Sequence, residues 1–238
     1  QGFGFQAGMT QQQTFPVRVR AVTYEAQGIL GFELVPHPPA PALPAFSAGA
    51  HIDLHLPNGL IRSYSLLNDP REQHRYVIAV NKDLKSRGGS RHLHEVLRTG
   101  DTLLIAGPRN NFPLDETSPH NVFIAGGIGI TPILGMIRRS QALGTPWRLF
   151  YATRAPENAA FLDTLNTFRD DPKVEVNFNF DNASGGRLLD LASIVRTLPP
   201  AAHIYCCGPL SMLSAYEKAT AGLPPERVHM EYFASSQA

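Results

Sequence analysis

A change of hydrophobic rhythm near the middle of the chain does most to limit what it can fold into. From Phe15 to about Ile105, apolar and β-branched residues come in short runs: Val17 to Val22, Ile29 to Val35, Ile52 to Leu56 and Tyr76 to Val80. Gly, Pro, Asn and Asp punctuate them, which is the pattern of an antiparallel sandwich or barrel. Arg91 to Leu97 is the exception, because Leu93, Val96 and Leu97 recur at helical spacing and predict a short capping helix. Beyond Phe112 the runs alternate in type. Strands are expected at Asn121 to Ala125, Arg148 to Ala152, Val174 to Phe178 and His203 to Cys206. Helices are expected at Ile133 to Leu143, Ala159 to Phe168, Leu188 to Val195 and Leu210 to Ala219. Strand and helix taking turns predict a parallel sheet covered by helices on both faces. The boundary is expected within Gly107 to Pro113, where Pro108, Asn110, Asn111 and Pro113 break both periodicities. The expected division is 10–111 for the first unit and 112–233 for the second.

Composition narrows the function classes. The chain has 238 residues, 43% of them hydrophobic, enough for two compact cores. No apolar run approaches the roughly 20 residues of a bilayer span, and the start lacks a secretory pattern, so a cytoplasmic protein without a membrane partner is expected. A net charge of +1 and the lack of any Lys/Arg block argue against nucleic acid. Cys206 and Cys207 are the only cysteines, and two neighbours cannot form a disulfide framework. A plant-type iron–sulfur cluster needs four thiolates, so any such cluster must lie outside this chain. Gln1 to Gly8, uncharged and rich in Gly, Phe and Gln, reads as a leftover expression leader ahead of a native start at Met9; residues 1–9 are set aside.

Four short motifs and the end of the last strand could carry chemistry. Ala125-Gly126-Gly127-Ile128-Gly129-Ile130-Thr131-Pro132 stands between a predicted strand and a predicted helix. Glycines let backbone approach a pyrophosphate, and a helix start offers free N–H groups. Thr131 suits the N-cap and Pro132 the first helical position. An isolated turn of this kind serves equally well with no ligand. Against the standard dinucleotide fingerprint, Pro132 replaces the third Gly and no acid ends the second strand at Tyr151 to Arg154. Arg62-Ser63-Tyr64-Ser65 offers a guanidinium for phosphate and a ring for stacking, although an ordinary strand would also carry these residues. Strand alternation puts Arg62 and Tyr64 on one face and Ser63 and Ser65 on the other. Arg87-Gly88-Gly89-Ser90 couples flexible backbone N–H groups to the short helix, and alone is a turn and an N-cap. Two phosphate-suited turns in two units would place a ligand between them. Cys207-Gly208-Pro209 ends a strand where parallel sheets gather ligands; a contact role is expected for Cys207, since no base lies nearby in sequence. Glu231-Tyr232-Phe233 ends the last strand, where an aromatic could cover a bound ring or simply plug a core edge.

Taken in this order, and with Pro108-Arg109-Asn110-Asn111-Phe112, these motifs resemble those of the ferredoxin-NADP reductase superfamily. Within it the likeness is to the phthalate dioxygenase reductase and vanillate O-demethylase reductase group, from about Phe15 to Phe233. The resemblance implies a six-stranded antiparallel flavin-binding β-barrel followed by an α/β parallel-sheet domain that binds a nicotinamide dinucleotide. By that resemblance Arg62 holds the flavin phosphate, Tyr64 lies against the isoalloxazine, Ser65 bonds near flavin N5, and Gly88, Gly89 and Ser90 wrap the phosphate. Ser63, Ala79 and Val80 complete the flavin set. Gly127, Gly129 and Thr131 meet the dinucleotide, with Cys207 beside the nicotinamide ring, and Pro132, Thr153, Arg154, Gly208, Pro209 and Glu231 complete the cofactor-binding set. Phe233 covers the other flavin face, and Ser65, Cys207 and Phe233 stand closest to the chemistry.

The resemblance further implies FMN rather than FAD, and NADH rather than NADPH, although Arg154 could meet a ribose phosphate. It implies a [2Fe-2S] domain after Phe233, with 234–238 as the start of its linker, or a separate ferredoxin. The implied function is the reductase component of an aromatic-ring oxygenase or O-demethylase, acting as a monomer. A stand-alone NAD(P)H:flavin reductase and a non-enzymatic nucleotide-binding regulator are the alternatives.

Overall fold

Buried and exposed residues alternate over the first half of Thr14–Ala26 (β1), and the Gln27-Gly28 turn folds this strand against the more buried Ile29–Pro36 (β2) as an antiparallel hairpin. The computed structural model describes residues 13–38, 40–83, 88–182 and 185–233. The leader 1–9, Arg87 and the tail 234–238 therefore lie outside the described residues. His51–His55 (β3), Ile61–Ser65 (β4), Tyr76–Asn81 (β5) and Thr102–Arg109 (β6) complete a six-stranded antiparallel sheet ordered β4-β3-β6-β1-β2-β5. Its edge strands β4 and β5 meet without a ladder, closing the sheet into a barrel around Val17, Phe32, Ile52, Leu54, Tyr76 and Ile105.

Gly89–Glu95 (α1) caps this barrel through Leu93 and Leu97. Val96, expected on the same apolar stripe, is instead 57% exposed, because the helix starts earlier than its spacing suggested and ends before it. Pro108, expected as a breaker, belongs with Gly107 to β6, which crosses a cis Gly107–Pro108 bond. The ladder to β1 ends at Ala106, so Pro108 forfeits no bond on that side.

The second sheet is parallel, ordered β11-β10-β7-β8-β9. It contains Asn121–Gly126 (β7), Trp147–Thr153 (β8), Val174–Phe180 (β9), His203–Cys207 (β10) and Val228–Glu231 (β11). Its connections carry Ile130–Leu143 (α2), Leu162–Asn166 (α3), Leu191–Arg196 (α4) and Leu210–Thr220 (α5). Two expected helices are shorter than their patterns suggested. Ahead of α3, Pro156–Asn158 forms a 3-10 turn and Phe161 takes a left-handed φ of 64°, burying its ring. The start of α4 waits for Asp190, whose carboxylate accepts the Ser193 N–H at 3.0 Å, leaving Leu188 exposed. Strand order reverses at β7, which sets the ligand crevice of such sheets at the carboxyl ends of its neighbours.

One apolar seam joins the sheets. Ala26, Ile29, Leu67 and Ala79 from the barrel, with Phe112 from the connection, share a core with Ile130, Ile133, Leu134 and Met136 of α2. Backbone approaches backbone across it at two glycines. A Cβ on Gly135 would stand 2.8 Å from the Leu66 carbonyl oxygen, and one on Gly49 only 1.8 Å from that of Phe112. The connecting segment is stitched down. Asn110 Nδ2 donates to Ser47 Oγ at 2.7 Å and to the Ala48 carbonyl at 2.9 Å. The Asp115 N–H donates to the Tyr205 hydroxyl at 2.9 Å.

Gly49 also has a φ of +95°, so a methyl group there meets both backbone strain and a collision with the connection. Gly49→Ala should lower stability by about 2–4 kcal/mol, read as a fall in Tm; a variant melting with the wild type would show that the seam is loosely packed.

Candidate active site

A cleft of about 570 Å³ opens at the carboxyl ends of the parallel strands, with the barrel hairpin on its far side. Two glycine turns form its floor. At the end of β7, Gly127–Gly129 makes a 3-10 turn that leads directly into α2, so Gly129, not Thr131, occupies the N-cap position. Thr131 lies inside the first helical turn with Pro132 after it; its hydroxyl donates to the Ile128 carbonyl at 3.0 Å, and both residues are buried. The opening 3-10 turn shifts the helix start, so the cap positions expected for them are not used.

The second turn follows β10. A Cβ on Gly129 would stand 2.2 Å from the Cys207 carbonyl oxygen, and one on Gly208 3.2 Å from the Gly126 backbone. These glycines let the two turns pack against each other. Gly127, by contrast, has a φ of +53° and open space where a Cβ would stand, so its backbone faces the cleft. Gly129, Thr153, Arg154, Gly208, Pro209 and Phe233 also line the cleft. Thr131, Pro132, Cys207 and Glu231 lie behind that surface.

Cys206 and Cys207 point to opposite faces of the sheet, Cys207 toward the seam and Cys206 toward α4 and α5. Burial pushes both thiols up, Cys206 to about 12 and Cys207 further, with the Glu231 carboxylate adding to the second. Neither is a thiolate at neutral pH, which fits a contact role. Glu231 lies beside Cys207 in the β10–β11 register. Its Oε2 is buried without a hydrogen-bond partner among the described residues, and burial raises the carboxyl to about 7.

A separate group gathers on the barrel. Arg62 and Tyr64 share the face of β4 that looks to the barrel core, as alternation requires, and burial lifts the Tyr64 hydroxyl to about 12. The Arg62 side chain lies across Gly89, where a Cβ would stand 2.8 Å from its Nε. The φ of +110° at Gly88 turns the chain into α1. Ser90 is not the N-cap: its hydroxyl oxygen accepts the Asp83 N–H at 3.2 Å from within the helix. On the other face, the Ser63 hydroxyl donates to Asp53 at 2.6 Å, while Ser65 is buried. Ala79 and Val80 are buried on β5, and the Val80 carbonyl is engaged by His94 Nε2 at 2.8 Å.

Sequence reasoning missed Gln27, Asn81, Asn158 and Asp181, all of which line the cleft. Asp181 was open to discovery, because it follows the third parallel strand, one strand beyond the position searched for an acid. The Asp181 N–H donates to the Thr153 carbonyl at 3.0 Å, holding the two strand ends together.

The comparisons with known proteins agree with this geometry. A family model described as the oxidoreductase NAD-binding domain matches residues 123–218. Phenoxybenzoate dioxygenase subunit beta of Ectopseudomonas oleovorans is 51% identical over 93% of this chain and 68% of its own length. Phthalate dioxygenase reductase of Burkholderia cepacia is 39% identical over 95% of this chain and 70% of its own. The chain belongs to the phthalate dioxygenase reductase family. A solved phthalate dioxygenase reductase superposes on this family member with a TM-score of 0.86 at 38% identity, covering 94% of the chain and 70% of that structure. This reductase is thus an NAD-binding oxidoreductase with the two-sheet fold of that family. Tetrachlorobenzoquinone reductase of Sphingobium chlorophenolicum, 48% identical over 94% of the chain and 68% of its own length, is a further relative.

The raised Glu231 carboxyl carries a stability signature. Folding favours its protonated form, so that contribution is fully present below about pH 4.5 and is lost as pH rises through about 7. Glu231→Gln should flatten the fall of Tm across that window; a variant with the wild-type slope would show that another group titrates there.

Proposed function

We propose that this reductase takes hydride from NADH onto FMN and passes single electrons to a [2Fe-2S] centre serving an aromatic-ring oxygenase or O-demethylase. Residues 10–111 form the flavin unit and 112–233 the nicotinamide unit, with 234–238 leading toward a cluster domain. The protein works as a monomer in the cytoplasm. Support comes from the names of its relatives, which include a dioxygenase subunit, phthalate dioxygenase reductase and vanillate O-demethylase oxidoreductase. The solved relative is described as a modular structure for electron transfer from pyridine nucleotides to [2Fe-2S].

The observation that carries this reading is a pair of glycine cradles, one in each unit. On the barrel, the bare Gly89 lies under the Arg62 guanidinium at the start of α1. A terminal phosphate fits there, since guanidinium and free N–H groups both favour a dianion, and this suits FMN. Tyr64 supplies a flat apolar surface for the ring, Ser65 a hydroxyl at the strand end, and Phe233 an exposed aromatic for the other face. When bound, the flavin accepts hydride and releases electrons singly. On the second unit, Gly127 opens its backbone to the dinucleotide phosphates, and Cys207 packs beneath the nicotinamide side as a neutral thiol. The chain's own work is to bind, orient and exclude water.

Asp181 supports NADH over NADPH. Asn179 Nδ2 donates to one Asp181 oxygen at 2.8 Å, which leaves the other to accept from ribose hydroxyls and repel a 2′-phosphate. Arg154 on the same rim then pairs with the diphosphate or solvent rather than deciding the nucleotide.

The purified protein should be yellow, bleach on anaerobic addition of NADH and release FMN on denaturation. A protein that takes up no flavin and oxidises no NADH would sink the proposal; ready turnover of free flavin with weak retention would favour a stand-alone flavin reductase. Arg62→Ala should weaken FMN binding about ten- to a hundredfold in fluorescence titration with little change in Tm, as loss of a charge-assisted contact requires. Asp181→Ala should shift the ratio of kcat/KM values toward NADPH about tenfold or more; an unchanged ratio would remove Asp181 from the ribose.

A further inference from the structure

The barrel reaches across the cleft at the turn between β1 and β2. The Gln27 N–H donates to the Glu157 carbonyl at 2.8 Å, fastening the hairpin tip to the 3-10 turn that follows β8. Beside this bond, Asn158 Nδ2 meets Gln27 Oε1 at 3.5 Å, the long limit of a hydrogen bond. The backbone clasp is therefore tight and the side-chain contact loose. Gln27 Nε2 and Asn158 Oδ1 have no partner among the described residues, and both side chains line the cleft next to Arg154 and Asp181. Asn81, paired with Ile29 at the end of the β2–β5 ladder, adds a third carboxamide to the same wall.

Carboxamides offer one donor and one acceptor side by side, which complements the N6 and N7 edge of adenine. A clasp needed only to hold the units together would be served by the backbone bond alone. We infer that Gln27 and Asn158, one from each unit, grip the adenylate half of the pyridine nucleotide, so the barrel binds the electron donor directly. This rests on the nicotinamide-nucleotide reading of the cleft. It makes the β1–β2 turn a cross-domain part of the nucleotide site, and places adenine beyond the ribose that Asp181 meets.

The test is calorimetric titration of the full chain with 5′-AMP, in the wild type, Gln27→Ala, the isosteric Gln27→Glu and Asn158→Ala. Each variant should bind 5′-AMP about five- to tenfold more weakly, the effect of one or two lost hydrogen bonds. In steady-state assays the KM for NADH should rise relative to that for reduced nicotinamide mononucleotide, which lacks the adenylate. Unchanged 5′-AMP affinity in all three variants would overturn the inference. So would equal rises in KM for both donors, since the residues would then act only by holding the units together. A wild-type protein that binds neither 5′-AMP nor NADH would instead remove the nucleotide reading on which the inference stands.

Discussion

The apolar seam between the barrel and α2 is the contact on which the rest of the structure depends. Neither sheet alone forms the cleft: the parallel sheet supplies the floor, and the hairpin and β5 supply a wall. Phe112 is buried in the joint, and a fully buried aromatic contributes about 2–3 kcal/mol. Gly49 and Gly135 let backbone meet backbone where side chains would hold the units apart. The same helix that seals the seam begins at the glycine turn facing the cleft. Packing and nucleotide placement are thus two ends of one element.

The chemistry asked of the side chains is correspondingly modest. The two thiols are buried and neutral, and among the described residues the charged ones on the cleft wall are Arg154 and Asp181. A surface of glycine backbone, carboxamides and aromatic rings suits holding two cofactor-sized groups near each other. It is poorly suited to proton abstraction or nucleophilic attack. Glu231 is the exception by position, a carboxyl kept close to its proton by burial beside Cys207.

Much of the fold was legible because each unit obeys one periodicity. The switch from period-two runs to strand–helix alternation located both sheets, and every expected parallel strand is present within a residue or two of its bounds. What failed was local. Thr131 and Pro132 look like an N-terminal box, yet a 3-10 turn at Gly127–Gly129 moves the cap upstream. Ser90 likewise looks like a cap but bonds back to Asp83. Glycine turns hide such shifts, because their backbone carries no side-chain pattern to read. The site was half legible for a similar reason. Residues adjacent in sequence to a motif were found. Gln27 and Asn81 come from the other unit, and their approach depends on a docking geometry that no spacing encodes.

The stitching of the connection has a consequence for electron flow. Asn110 is tied to the Ser47-Ala48 loop of the barrel and the Asp115 backbone to Tyr205 of the parallel sheet, so the connection is pinned to both units within six residues. Such a joint has little room to swing. Cofactors bound as proposed would then be held at a separation that the packing of the two units sets, much as a jig fixes two workpieces. Adjustment is left to small movements at the rim, of which the half-exposed ring of Phe233 is the best placed.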